Sequence, residues 1–141
     1  MAEAITFHYD VDGENFTSAG NASVQVKRKL RHLGFPPDVI KRVAIAMYEG
    51  EINMVIHADG GSADVIVSPE EVKIVLADSG PGIPDVSLAM KEGYSTASDN
   101  IRSLGFGAGM GLPNMKRYTD SMEIETEIGV GTTITMIVKV H

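Results

Sequence analysis

The sequence predicts an α+β fold: a two-layer sandwich whose mixed, mainly antiparallel sheet carries helices on one face. Three observations lead there. Short runs alternating apolar and polar residues stand beside runs with helical period. The strand-like runs come in pairs joined by tight, Gly- or Pro-containing connections, which is the pattern of hairpins rather than of strict βαβ alternation. The two amphipathic helical runs lie together near the N-terminus, between the first strand and the first hairpin.

Each element has its own signal. Ile5, Phe7, Tyr9 and Val11 alternate with more polar neighbours and read as a half-buried strand closed by Asp12-Gly13. From Asn21 to Leu33 the apolar residues Val24, Val26, Leu30 and Leu33 are separated by Lys27, Arg28, Lys29 and Arg31, an amphipathic helix ended by Gly34. Pro36-Pro37 breaks the chain, and Asp38 can cap a second, long helix with Ile40, Val43, Ala44, Met47, Val55 and Ile56 toward a core, ending at Ala58-Asp59-Gly60-Gly61.

Ala63 to Val67 and Val72 to Ala77 form a hairpin around Ser68-Pro69-Glu70-Glu71. A short helix near Asp85 to Lys91 precedes a stretch rich in Gly and Ser, and a loop of that length inside a compact domain is usually functional or mobile. Leu112 to Tyr118 reads as a helix with Pro113 in its first turn, where the missing amide costs nothing. Met122 to Glu127 and Thr132 to Val140 close the fold as a hairpin around Ile128-Gly129-Val130-Gly131.

The bulk numbers set limits on function. A chain of 141 residues, 43% hydrophobic, is expected to form one domain over residues 1–141. A formal charge of −7 argues against a partner held mainly through phosphate neutralisation, so neither nucleic acid nor an anionic membrane is expected. With no cysteine there is neither a disulfide framework nor a thiolate metal site. The N-terminal residues show no basic region followed by an apolar core, and no apolar run reaches the roughly 20 residues of a membrane helix, which makes the cytoplasm the expected location.

Three motifs carry chemistry, and each has a bland alternative. Glu49 and Asn53 are four apart on the long helix, so their side chains leave one face about 6 Å apart along the axis. An Asn carbonyl oxygen suits Mg²⁺, which keeps waters and substrate phosphates in the rest of its octahedron, and the Glu49 carboxylate can take a proton from a hydroxyl or water attacking a γ-phosphate. The same pair also reads as a solvated helix face. Glu51 points to a different face, and Gly50, inside a helix, either permits a close approach or is merely tolerated at a cost of about 1 kcal/mol relative to alanine. His57, one turn further on, reads as a hydrogen-bonded residue near the core.

Asp78-Ser79-Gly80-Pro81-Gly82 follows an apolar strand. A carboxylate there can accept a hydrogen bond from the exocyclic amine of adenine, while Gly80 and Gly82 let the main chain approach the ring; a strand-to-turn exit uses the same residues. Gly105-Phe106-Gly107-Ala108-Gly109-Met110-Gly111-Leu112 places glycine at every second position and opens onto a helix, where free amides make an anion site, or else a flexible loop. The spacing is neither G-x-G-x-x-G nor a P-loop, since no lysine follows. ATP with Mg²⁺ is the ligand set that the three motifs point to together.

In this order within one small domain, E-x-x-x-N on a helix, D-x-G-x-G after a hairpin strand, and G-x-G-x-G-x-G-L before a later helix resemble the GHKL ATPases with the Bergerat fold. The resemblance runs from about Phe7 to Val140 and is strongest to the bacterial anti-sigma-factor serine kinases and the switch kinases that phosphorylate small STAS-domain proteins. Tyr48 to His57 matches their N-box in its Glu, Asn and His, with Gly50-Glu51 replacing the small and polar residues usual there, and Glu92-Gly93-Tyr94-Ser95-Thr96 looks like their ATP lid.

The resemblance implies Glu49 as the catalytic base, Asn53 as the Mg²⁺ ligand and Asp78 as the adenine acceptor. It implies nucleotide contacts from Gly80, Gly82, Ser95, Thr96, Gly105, Gly107, Gly109, Met110, Gly111 and Leu112, and a supporting role for Thr132 at the adenine end. The activity implied is a protein serine/threonine kinase acting on a STAS-domain anti-anti-sigma-like protein. The alternative is a nucleotide-gated anti-sigma or assembly switch that binds ATP without productive transfer. A sigma factor and a second copy of the chain are further partners that the resemblance allows.

Overall fold

The computed structural model describes residues 4–12, 20–58, 60–80 and 111–140. Along the chain these form β1 (Ile5–Asp12), α1 (Asn21–His32), α2 (Pro37–Ala58), β2 (Gly60–Val67), β3 (Glu71–Asp78), α3 (Gly111–Arg117), β4 (Ser121–Glu127) and β5 (Gly131–Lys139). The short helix expected near Asp85 to Lys91 lies outside the described residues.

The strands form one sheet in the order β1-β2-β3-β5-β4, and every described pairing is antiparallel. The expected α+β sheet, mainly antiparallel, is found, and among the described strands it is antiparallel throughout. The reason is how the last hairpin docks. β4 runs in the same direction as β3 and would have paired with it in parallel, but β5 is inserted between them and β4 is left at the edge.

Period-2 burial gives the sheet one core face. Phe7, Val65, Ile74, Met136 and Met122 are register partners in one row across all five strands, and Tyr9, Ala63, Leu76, Ile134 and Ile124 form the next. In these rows the residues of β2, β3 and β5 are buried, and those of the edge strands β1 and β4 are partly buried against them. The helices supply the second layer of this core through Val26 and Leu30 of α1, Val43, Ala46 and Met47 of α2, and Met115 of α3.

The helix boundaries follow local chemistry. α1 ends in a Schellman motif: Gly34 at φ +81 donates to Arg31 O and Phe35 donates to Leu30 O, so glycine sits where a side chain would be strained. The expected inward face of α1 needs correction, because Val24 and Leu33 are about half exposed while Ala22 and Ser23 are buried. α1 sits slightly rotated about its axis, with Lys29 turned onto β1, where its Nζ donates to Tyr9 Oη at 2.9 Å and lies 4.2 Å from the Phe7 ring centroid. On α2, Ala44 is only half-buried, and Val39, Ala46, Ile52 and Met54 fill core positions instead.

Candidate nucleotide site

α2 lies between two helix ends, and its two sides do different work. One side faces the start of α3. Asn53 Nδ2 meets Met115 Sδ at 3.8 Å, and Gly50, between Glu49 and Asn53 in the chain, faces Leu76 and Met115. A Cβ on Gly50 would overlap Leu76 Cδ1 of β3 and stand 3.3 Å from Met115 Cε. The helical glycine thus permits a close approach: it lets α2, α3 and β3 meet at one point.

Glu49 is half-buried, and burial raises its pKa above the ordinary carboxylate value, with the nearby Asn114 side chain acting the other way. A raised carboxyl pKa makes the ionised carboxylate a stronger proton acceptor, as a general base requires. Asn53 is also half-buried, and with its amide nitrogen turned to Met115 its carbonyl oxygen has no protein hydrogen bond among the described residues. A hard carbonyl oxygen one helical turn from a carboxylate fits a Mg²⁺ whose other ligands are waters and phosphate oxygens. Among the described residues no group of three or more His, Asp or Glu gathers as a metal site, so any ion here would depend on its substrate for most of its ligands.

The other side of α2 carries Glu51, which is 2% exposed. Its Oε2 accepts from the backbone N–H groups of Gly20 at 3.0 Å and Ala22 at 3.3 Å, and its Oε1 accepts from that of Ser23 at 2.7 Å. α1 has Gly20 as its N-cap, so no side chain of its own caps it, and Glu51 supplies the missing acceptors from a different helix. Gly20 takes φ +95 against the Tyr48 ring, where a Cβ would come within 2.9 Å of Cε1. Spacing placed Glu51 on another face than Glu49 but did not reveal this role. The sequence offered no signal for it, since Asn21 and Ser23 read as ordinary N-terminal residues of α1.

Asp78 ends β3, opposite Thr132 in the register. Its Oδ1 accepts from the N–H groups of Gly80 at 2.9 Å and Thr132 at 3.1 Å. Two backbone donors on one oxygen fix the carboxylate plane and leave Oδ2 for a ligand donor. Gly131, at φ +147, would drive a Cβ into the Asp78 carbonyl, so the strands approach closely here. Thr132 is buried, and its Oγ1 shares a 2.9 Å hydrogen bond with Thr126 Oγ1 on β4.

Gly111 and Leu112 open α3, with Leu112 buried and Pro113 in the first turn. Of the expected site residues, Gly82, Ser95, Thr96, Gly105, Gly107, Gly109 and Met110 lie outside the described residues. Glu49 and Asn53 are brought to α3, while Asp78, Gly80 and Thr132 form a separate cluster at the strand ends. Sequence reasoning missed Asn114, whose signal was a polar residue between the core-facing Leu112 and Met115.

Residues 15–138 match the family model described as the histidine kinase-like ATPase domain. The chain belongs to the histidine kinase-like ATPase family. Among similar proteins, the serine/threonine-protein kinase RsbT of Bacillus subtilis is 32% identical over 111 residues, which cover 76% of this chain and 77% of RsbT. The anti-sigma F factor of Clostridium beijerinckii is 31% identical over 103 residues, covering 69% of this chain and 68% of that protein.

Among solved structures, the RsbU and RsbW domains of Rv1364c from Mycobacterium tuberculosis superpose with a TM-score of 0.63 at 17% identity. That match covers 96% of this chain, which spans about a third (32%) of the larger protein. The Mycobacterial sensor histidine kinase MprB superposes with a TM-score of 0.54, also at 17% identity, covering 96% of this chain and 97% of that one. At these identities the structures show a shared fold. The GHKL resemblance is thereby borne out at the level of family and of α+β architecture. An ATPase-family chain has ATP as its expected ligand, and among the described residues no helix is long and apolar enough to cross a membrane.

Proposed function

We propose that this ATPase-family chain is a regulatory protein serine/threonine kinase of the anti-sigma type, which transfers the γ-phosphate of ATP to a hydroxyl on a small STAS-domain partner in the cytoplasm. The observation that carries this reading is the pairing of a desolvated Glu49, its pKa raised, with a half-buried Asn53 one turn away on the same helix. RsbT, named as a serine/threonine-protein kinase, supports it from the side of sequence.

In this reading Asp78 Oδ2 accepts from the adenine amine while its Oδ1 stays with Gly80 and Thr132. Gly80 and Gly82 let the main chain approach the adenine, Gly107, Gly109 and Gly111 offer their amides to the phosphates, and Ser95, Thr96, Gly105, Met110 and Leu112 line the rest of the nucleotide. Asn53 holds the Mg²⁺, which neutralises charge on the phosphates when bound. Glu49 takes the proton of the acceptor hydroxyl as its oxygen bonds to the γ-phosphorus, and the bond to the βγ-bridging oxygen breaks with its electron pair leaving on ADP.

The test is incubation with Mg-ATP and a co-encoded STAS-domain protein. Phosphate should appear on a Ser or Thr of that partner and vanish with Glu49→Ala. Absence of partner phosphorylation by the wild-type chain across co-encoded STAS proteins rejects the kinase reading.

A second reading is favoured by the anti-sigma F factor relatives. In it the nucleotide sets partner choice, with a sigma factor or a second copy of the chain as partner, without productive transfer. Asn53→Ala would then abolish partner exchange while Glu49→Ala left it intact.

A further inference from the structure

Met115 joins two parts of the site, for its sulfur meets a side chain of α2 that stands 62 residues earlier in the chain. It is carried by α3, which opens at Gly111, the last glycine of the glycine-rich stretch, and it is fully buried. Its methyl group lies against the α2 backbone at Gly50, where a Cβ would stand 3.3 Å from Cε. Its sulfur, the atom bonded to that methyl, lies 3.8 Å from Asn53 Nδ2 and accepts from it. The thioether is thus laid along α2, with its methyl held at Gly50 and its sulfur at Asn53.

We infer that Met115 is a positioning residue for Asn53: its sulfur takes the amide nitrogen and thereby leaves the carbonyl oxygen of the same carboxamide for a divalent cation. The inference rests on the reading of Asn53 as the Mg²⁺ ligand. A carboxamide has two orientations of nearly equal shape. One presents an oxygen to a cation, and the other presents an NH₂ group, which has no lone pair to give. A thioether has no hydrogen to donate, so a buried sulfur can satisfy the amide nitrogen but not the oxygen. With the oxygen turned inward, that acceptor would be left unpaired against apolar surface, a cost that the observed orientation avoids.

The neighbours of this contact leave the choice to the sulfur. Leu76 of β3 comes against the same point of α2 at Gly50 and brings neither donor nor acceptor in its side chain. Glu51, two residues before Asn53, is engaged by the N–H groups of Gly20, Ala22 and Ser23 on the other side of the helix. Among the described residues, the Met115 sulfur is the one hydrogen-bond partner of the Asn53 side chain. Glycine at position 50 seats the methyl, the seated methyl aims the sulfur, and the sulfur sets the carboxamide.

The experiment compares wild type with Asn53→Ala and with Met115→Leu, which keeps the volume and removes the acceptor; each is first checked for folding by thermal unfolding. Two readouts need no catalysis. In ¹H–¹⁵N spectra of the metal-free chain, the Asn53 side-chain amide, assigned by its loss in Asn53→Ala, should exchange with water more slowly in wild type than in Met115→Leu. Isothermal titration calorimetry of ATP, with Mg²⁺ and with EDTA, gives the gain in affinity that the metal provides. Met115→Leu should cut that gain about three- to fivefold and leave the affinity for metal-free ATP within about twofold, because a smaller fraction of the chain then presents the oxygen. Growth with norleucine in place of methionine removes the sulfur and keeps an unbranched side chain. It should reproduce the loss in wild type and add nothing in Met115→Leu.

Equal amide exchange in wild type and folded Met115→Leu overturns the inference, and so does a metal-dependent gain unchanged in both Met115→Leu and the norleucine protein. An equal fall in affinity with and without metal also overturns it, since a loosened α3 would produce that. A gain lost in Asn53→Ala but kept in Met115→Leu rejects the role of Met115 alone. A gain kept in full by Asn53→Ala rejects Asn53 as the metal ligand, and this inference with it.

Discussion

The Glu51 carboxylate accepts a 2.7 Å hydrogen bond from the backbone N–H of Ser23, at the buried start of a helix 28 residues earlier in the chain. With the further bonds from Gly20 and Ala22 it does from α2 what a Ser or Asp would do locally at an N-cap. The α1 N-terminus is also the positive end of a helix dipole, so a carboxylate there is favoured twice. The arrangement locks α1 to α2 two residues from each of Glu49 and Asn53.

Glu51→Ala should therefore be costly. It strands three buried donors and opens a cavity, for an expected loss on the order of 3 kcal/mol and a Tm drop of roughly 10 °C by differential scanning calorimetry. Glu51→Gln keeps one acceptor and should cost less. The pH dependence has a definite sign. Burial raises the Glu51 pKa, so the native state holds the proton more tightly than the unfolded chain. Its contribution is fully present below the ordinary carboxylate pKa and is lost as pH rises through the raised folded value. Glu51→Gln should flatten the stability-versus-pH curve in that window.

Gly50→Ala tests the meeting point of α2, α3 and β3. Alanine would gain about 1 kcal/mol in helix propensity, but its Cβ collides with Leu76 Cδ1 and crowds Met115 Cε. Overpacking of this kind costs about 1–3 kcal/mol, so net destabilisation is expected in urea unfolding. ATP affinity should fall too, because α3 is pushed off its seat. Combining Gly50→Ala with Leu76→Val should recover both, since it removes the methyl in the way.

Asp78→Asn separates binding from folding. The amide oxygen can still accept from Gly80 and Thr132, so the strand end should hold and Tm should stay near wild type. The outward group becomes a donor facing the donor amine of adenine. Isothermal titration calorimetry should show ATP binding weakened about 10- to 100-fold, matching the loss of a hydrogen bond to a charged acceptor plus a stranded donor. Asp78→Ala should lose both binding and stability.

His8 provides a pH response away from the site. Its Nδ1 lies 2.6 Å from Asp64 Oδ1 and its Nε2 lies 3.1 Å from Asp10 Oδ1, and hydrogen bonding first to Asp64 and then to Asp10 raises its pKa. The charged imidazolium donates to both carboxylates. Its contribution to stability is thus present below the ordinary histidine pKa of 6.5 and is lost as pH rises through the raised value. A ¹H NMR titration should place the His8 midpoint above 6.5, and Asp64→Asn should bring it down more than Asp10→Asn does.

Much was legible because it is local. The hairpin pairs, the Gly34 helix stop, the run from Asp38 to Ala58 and the strand ending at Asp78 depend on near-neighbour period and turn chemistry, and the structure has them within one to three residues of the expected bounds. The four-residue spacing of Glu49 and Asn53 and the carboxylate at the mouth of β3 were readable for the same reason.

What only the tertiary structure decided is what each of these residues touches. Sequence shows the same alternation in both strands, and only the outward Glu123, Glu125 and Glu127 of β4 hint that it, rather than β5, takes the edge. It shows Gly50 and Glu51 as two irregularities in one helix. In the folded chain they are two fittings, one receiving Leu76 and Met115 and the other holding Gly20, Ala22 and Ser23. Period fixes the side of a helix on which a residue lies, whereas shape and unpaired donors brought from 26 to 65 positions away fix what that side must accommodate.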